Sequence, residues 1–290
     1  MQNFPFSGCP VPATGEAPVA PVQRLDVMRL RDGLLADEQD TVAAEVPVAL
    51  VYNGISHAVM MCTPEDLEDF ATGFSLSEGI VPELSALYDI EVVPVASGIE
   101  VRVELATGCF SALKDRRRQL SGRTGCGLCG VESLQQAIRP VRPVPGQLMK
   151  IGQGALLAAM AGLPACQVLA RETGATHAAA WCAPDGQILA VREDVGRHVA
   201  LDKLIGIRAR QGWSDGFVIV TSRASYEMVH KVAEVGVELL AAISAPTALA
   251  VDLAHSAGLT LAGFVRGERA VVYAGAGRLV TLQRTLNETV

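Results

Sequence analysis

Three short apolar runs, at 217–221, 237–243 and 259–265, are separated by two segments that read as helices, and this alternation constrains the fold more than any other feature. Runs of this length between turn residues form strands buried on both faces. The segment 226–235 carries Ser225 as a plausible cap. The segment 246–257 opens on Pro246 and stops at Gly258. Strand, helix, strand, helix and strand with short connections predict a largely parallel sheet covered by helices on both faces, an α/β three-layer sandwich. Upstream, the pattern predicts a helix at 152–162 and a hairpin of 176–183 with 187–191 turned at Pro184-Asp185-Gly186. A further helix is expected at 197–210.

The first half is organised differently. Residues 1–22 are rich in Pro, Gly and Ala without periodicity and read as a disordered tail. Apolar segments at 46–52 and 55–61 flank Asn53-Gly54, a dipeptide suited to a type I′ hairpin turn. Thr63-Pro64-Glu65-Asp66 then reads as a helix start, with Thr63 capping and Pro64 in the first helical position. Strands are expected at 88–95 and 99–105, followed by a basic stretch from Lys114 to Arg123. Pro140, Pro143 and Pro145 form a natural linker. The organisation expected is a tail (1–22), a smaller β-rich N-terminal part (23–145) and an α/β domain (146–290).

Of the 290 residues 50% are hydrophobic and 4% aromatic, which suits a core of small and branched side chains. A net charge of -7 argues against nucleic acid as the main partner. Seven cysteines, odd in number and irregularly spaced, fit reduced thiols in a reducing compartment. Phe6-Ser7-Gly8-Cys9 mimics a lipoprotein cleavage site, but no Lys or Arg precedes Arg24 and no apolar segment precedes Cys9. The uncharged stretch 151–170 approaches the roughly 20 residues of a membrane span. Gly152, Gly154, Gly162 and Pro164 interrupt it, so a buried helix and a turn are expected. The reading is cytoplasmic, with no membrane partner.

Chemistry concentrates at Cys126-Gly127-Leu128-Cys129. A thiol reacts as its thiolate and needs help to lose its proton. Arg116, Arg117, Arg118 and Arg123 lie just upstream, and a helix expected at 131–138 would turn its positive end toward both cysteines. Gly125, Gly127 and Gly130 allow a tight, exposed loop. The pattern describes a nucleophile able to visit two partners. Structural zinc would need four ligands, and no second CxxC or paired histidine follows; scattered Cys109, Cys166 or Cys182 would have to serve. A thioredoxin-like pair normally follows a strand, and a zinc nucleobase deaminase would show His-x-Glu and Pro-Cys-x-x-Cys. Cys62, Cys166 and Cys182 read as inert core thiols, while Cys9 and Cys109 have no recognisable partner.

Two more polar clusters occupy strand ends. Glu193-Asp194-Val195-Gly196-Arg197-His198 joins a strand to a helix and reads as a cap with a local ion pair. Thr221-Ser222-Arg223-Ala224-Ser225 leads from a buried strand into a helix N-terminus, a position suited to phosphate. Phe264, Val265, Arg266, Gly267, Glu268 and Arg269, at the end of another strand, would add two guanidiniums to the same rim. Together they outline a crevice for an anionic, nucleotide-like ligand.

Gly125–Gly130, Thr173–Ala179, Asp194–His198 through Asp202-Lys203, Arg223–Glu227, Ser244–Thr247 and Gly263–Arg266 occur in the order seen in the FdhD family, formate dehydrogenase accessory sulfurtransferases. Thr63-Pro64, Gly73-Phe74 and Ser77-Glu78-Gly79 match too, so the resemblance spans about 24–288. It implies acceptance of sulfur from a cysteine desulfurase as a persulfide on Cys126, with Cys129 assisting or resolving. It implies transfer to the molybdenum of bis(molybdopterin guanine dinucleotide) before that cofactor enters formate dehydrogenase. By the same resemblance 264–269 binds the cofactor, no zinc is bound, the fold is like that of cytidine deaminases, and the protein is a homodimer. Val199 departs from a family Asn, which would alter a polar contact near the crevice. Thr176 replaces a Val and Cys62 a basic residue. The competing readings are a cofactor-binding chaperone with a structural CxxC, a dithiol redox enzyme, and a zinc protein.

Overall fold

The computed structural model describes residues 19–121, 141–146 and 149–281. It begins with an antiparallel ribbon of β1 (Val22–Arg31) and β2 (Leu34–Ala43), ten rungs long. Asp32 and Gly33 turn it, both at positive φ, as a two-residue hairpin requires. This ribbon is an addition to the expected elements: Asp32-Gly33 is a hairpin dipeptide, but charges interrupt the apolar alternation of the strands it joins.

The N-terminal sheet has the order β4-β3-β6-β5. The β3 (Val46–Tyr52) and β4 (Ile55–Cys62) hairpin turns at Asn53-Gly54 as expected, and β5 (Leu87–Val95) pairs antiparallel with β6 (Gly98–Leu105). Val48, Leu50, Tyr52, Val101 and Val103 project from the inner face onto Phe70, Ala71 and Phe74 of α1 (Leu67–Ser77). This helix starts later than expected. Asp66, in a left-handed conformation, stands at its cap, and Thr63 is outside it. The hydroxyl of Thr63 is committed elsewhere, as described below. The basic stretch, as far as Ser121, is helical: it falls in α2 (Thr107–Ser121), whose Lys, Arg, Gln, Leu and Ala are all good helix formers.

The C-terminal sheet has the order β13-β12-β11-β10-β8-β9. It comprises β8 (His177–Cys182), β9 (Ile188–Asp194), β10 (Phe217–Val220), β11 (Leu239–Ala242), β12 (Thr260–Arg266) and β13 (Arg269–Ala274). Only β10–β11 and β11–β12 are parallel; the other pairings are antiparallel. The largely parallel sheet expected from sequence is therefore mixed. The hairpin β8–β9 and the returning strand β13 flank a parallel centre.

The three layers are present. Ala178, Ala180, Phe217, Ile219, Leu239 and Ala241 face Leu156, Met160 and Leu163 of α3 (Gln153–Cys166). The alternate residues Ala179, Trp181, Val218, Val220, Leu240 and Ala242 face the other side. There they meet α5 (Arg197–Gln211), α6 (Tyr226–Glu234) and α7 (Ala248–Ala257). Burial on both faces explains why these strands read as unbroken apolar runs. The short α4 (Val168–Thr173) follows α3, and β7 (Ile151–Gly152) pairs in parallel with β14 (Leu279–Val280). No helix of the described residues is long and apolar enough to cross a membrane.

The two sheets meet through helices. α1 packs along α5, and Val199 of α5 is buried in the N-terminal core. Val144, just before the expected domain boundary, packs into the C-terminal core and donates its N–H to Ala257 O at 2.9 Å.

Candidate functional site

The central strands β10, β11 and β12 end on one edge of the sheet, the edge where open α/β sheets receive ligands. Backbone hydrogen bonds stitch the segments after these strands into a continuous rim. Thr221 N–H donates to Ala178 O at 3.0 Å, and its hydroxyl oxygen accepts Ala178 N–H at 2.9 Å. Ile243 N–H reaches Val220 O at 3.0 Å, Thr247 N–H reaches Ala224 O at 3.1 Å, and Phe264 N–H reaches Ser244 O at 3.1 Å. The helices α5, α6 and α7 begin at this edge, the first two without a side-chain cap, and such helix ends favour an anion.

Cationic and titratable side chains line the same edge. His177 opens β8 opposite Asp194, and Arg197 and His198 open α5. Burial, then the nearby Arg197 guanidinium, holds the His177 imidazole below its usual value. His198 is lowered by burial first and by Arg197 next, with Glu227 pulling the other way. Glu227 Oε2 lies 3.4 Å from His198 Nε2 and accepts the Ser225 hydroxyl at 2.9 Å. The Arg197 Nε–H is buried and has no hydrogen-bond partner among the described residues. A guanidinium left so is suited to a carboxylate or phosphate.

At the β12–β13 end, the Arg266 guanidinium lies over the Phe264 ring at 5.6 Å from its centroid. Phe264 has φ 50, a left-handed conformation that costs a bulky residue about 1–3 kcal/mol. Gly263 permits it: a Cβ there would press on Pro246 and on Ser244 O. Of the six residues expected to bind cofactor, Arg266, Gly267, Glu268 and Arg269 are exposed and Phe264 is half-buried. Val265 instead points into the core on the α3 side. Arg223 is exposed on the rim.

Cys126, Cys129 and the helix expected at 131–138 lie outside the described residues, as do the expected tail up to residue 18 and Cys9. Among the remaining thiols, Cys62 and Cys182 are buried, and burial pushes the Cys182 thiol up to about 12. Cys166 is exposed, contrary to the core position expected of it, because it falls at the open end of α3. Among the described residues, no group of three or more His, Cys, Asp or Glu side chains is arranged to hold a metal.

Two buried ionic groups behind the rim carry more weight than their sequence signals suggested. Asp194 and Lys203 are both inaccessible and lie 2.7 Å apart. Burial pushes the Asp194 carboxyl up against the pull of Lys203. The Asp194 oxygens also accept Thr63 N–H at 3.0 Å and Gly196 N–H at 2.8 Å. The second group joins α1, α5 and α6. Asp202 accepts the Ser77 hydroxyl at 2.6 Å and Lys231 Nζ at 3.0 Å, while Lys231 also reaches Glu78 at 2.8 Å. The available hint was Asp202-Lys203 embedded among Leu201, Leu204 and Ile205, where unpaired charge would be prohibitive. The departures from the family pattern also find places. Val199 is buried in the apolar N-terminal core, and the Thr176 hydroxyl donates to Glu193 at 2.9 Å.

A mixed three-layer sandwich with a cationic rim at its strand ends defines the class, an α/β protein with an edge suited to anions. A family model described as the FdhD/NarQ family matches residues 43–280, and the chain belongs to that family. It is 57% identical over 269 residues to the sulfur carrier protein FdhD of Cupriavidus necator, covering 92% of this chain and 93% of that protein. A crystal structure of a formate dehydrogenase accessory protein from Desulfotalea psychrophila is similar in fold. Its TM-score is 0.70 at 22% identity, over 89% of this chain and 99% of that one.

Proposed function

We propose that this chain is a sulfur carrier for a molybdenum enzyme. Cys126 takes sulfur from a cysteine desulfurase as a persulfide, with Cys129 assisting or resolving. It passes the sulfur to the molybdenum of bis(molybdopterin guanine dinucleotide), its cargo, before that cofactor enters formate dehydrogenase. In the loading step the Cys126 thiolate attacks the terminal sulfur of the donor persulfide, the donor S–S bond breaks, and the donor leaves as a thiolate. The protein acts as a homodimer in the cytoplasm, and its layers resemble those of cytidine deaminases without their zinc.

The observation that supports this reading best is the rim itself. Arg197, His177 and His198 gather beside helix N-termini on the edge that also carries the Phe264–Arg266 stack. Phosphates suit the first group, and a purine face suits the second. Family membership and the name of the Cupriavidus relative support sulfur as the group carried.

The test is mass spectrometry of the intact protein and its peptides after incubation with cysteine and a cysteine desulfurase. A reductant-sensitive added sulfur on Cys126, lost in Cys126→Ala, is expected. No added sulfur under conditions that load a known acceptor would overturn the carrier reading in favour of cofactor binding alone.

A further inference from the structure

Thr63 follows the N-terminal sheet immediately after β4, yet its N–H and hydroxyl engage the turn between β9 and α5, and its carbonyl holds Lys203 behind that turn. Its N–H donates to Asp194 Oδ2 at 3.0 Å, its carbonyl accepts Lys203 Nζ at 3.0 Å, and its hydroxyl oxygen accepts Val195 N–H at 3.2 Å. The residue is fully buried. Asp194 in turn holds Gly196 N–H, so both backbone amides between β9 and α5 are fixed from behind. The next two residues are Arg197 and His198. Nothing on the rim side does the same work for Arg197, whose Nε–H has no partner among the described residues.

We propose that Thr63, through the bond its hydroxyl accepts from Val195 N–H beside the buried Asp194–Lys203 pair, is a positioning residue for the anion crevice. It sets where the Arg197 guanidinium and the His198 imidazole stand at the start of α5. The inference rests on the reading of this crevice as a site for a nucleoside diphosphate group. Holding the turn in advance removes an ordering cost that a ligand would otherwise meet on binding. Ordinary anchoring of one sheet on another would not need Thr63 and Asp194 to hold both amides of one turn.

Two substitutions separate positioning from mere stability. Thr63→Val keeps the branched shape but offers Val195 N–H no acceptor, and Thr63→Ser retains the hydroxyl. The first measurement is guanosine diphosphate binding by calorimetry, well below the melting temperature of each variant. Thr63→Val should bind about tenfold more weakly, the scale of one orphaned hydrogen bond, and Thr63→Ser within about twofold of the parent. Equal binding by parent and Thr63→Val would overturn the proposal.

The second measurement is the imidazole titration of His198 by NMR, which needs no ligand. The groups facing that ring are Arg197, Glu227 and Lys231. With the turn released, His198 should titrate closer to its ordinary value in Thr63→Val and as in the parent in Thr63→Ser. An unmoved titration would overturn the proposal even if the parent bound no nucleotide. That last result would itself sink the nucleotide reading alone.

Discussion

Gly73 of α1 and Gly206 of α5 let two helices touch backbone to backbone. A Cβ built on Gly73 would overlap the Asp202 carbonyl, and one on Gly206 would overlap the Asp69 carbonyl. Both glycines have ordinary helical backbones, so space and not conformation excludes a side chain. The contact brings Ser77 and Glu78 within reach of Asp202 and Lys231.

Gly206→Ala should therefore force the helices apart and destabilise the chain by at least about 3 kcal/mol. Thermal or urea unfolding reads this directly. A variant as stable as the parent would mean that the helices separate without cost.

Lys231→Met removes the cation from a site that keeps Asp202 and Glu78. Breaking a buried pair from one side costs about 3–5 kcal/mol, more than an exposed pair could. The loss should shrink when Asp202→Asn is added, because the stranded charge is then gone. A double-mutant cycle measures the difference.

Acidification should destabilise the protein in the window just below the ordinary histidine value of about 6.5. Burial holds His177 and His198 lower than that in the fold, so the unfolded chain binds more protons there. The contribution is fully present above that value and declines as pH falls toward the lowered folded values. Melting temperature between about pH 7.5 and 5.5 is the measurement, and His198→Gln should flatten part of the slope.

Val199→Asn should cost this chain about 1–3 kcal/mol. The side chain is buried in the apolar cluster that also holds Phe70 and Leu67, and an amide there would need partners. Unchanged stability would show that a polar partner lies within reach.

Cys126→Ala should abolish activation of formate dehydrogenase while leaving the melting temperature unchanged, and Arg266→Ala should weaken guanosine diphosphate binding without affecting sulfur loading. Loss of loading in Arg266→Ala would join the two steps that the reading keeps apart.

Much of the architecture was legible because its signals are local. Asn53-Gly54 and Pro184-Asp185-Gly186 each marked a turn, and 217–220 or 239–242 announced two-sided burial by uninterrupted apolar residues. Strand direction was less legible, since the unbroken apolar runs of the parallel centre say nothing of the antiparallel β8 and β13 that flank it. The rim could be assembled from strand ends and helix starts. The role of Thr63 could not be. As a cap it obeyed a local rule, but its hydroxyl found a partner 132 residues away in Val195. Local signals do not report such distant commitments.

The bonds that Thr63 makes also bear on how such a chain can change over generations. The N–H held by Asp194 and the carbonyl that holds Lys203 are backbone groups, so any residue but proline at position 63 keeps them. Only the bond from Val195 N–H depends on the hydroxyl. Position 63 should therefore drift between threonine and serine, with no compensating change asked of Asp194 or Lys203 however widely the sequence separates them.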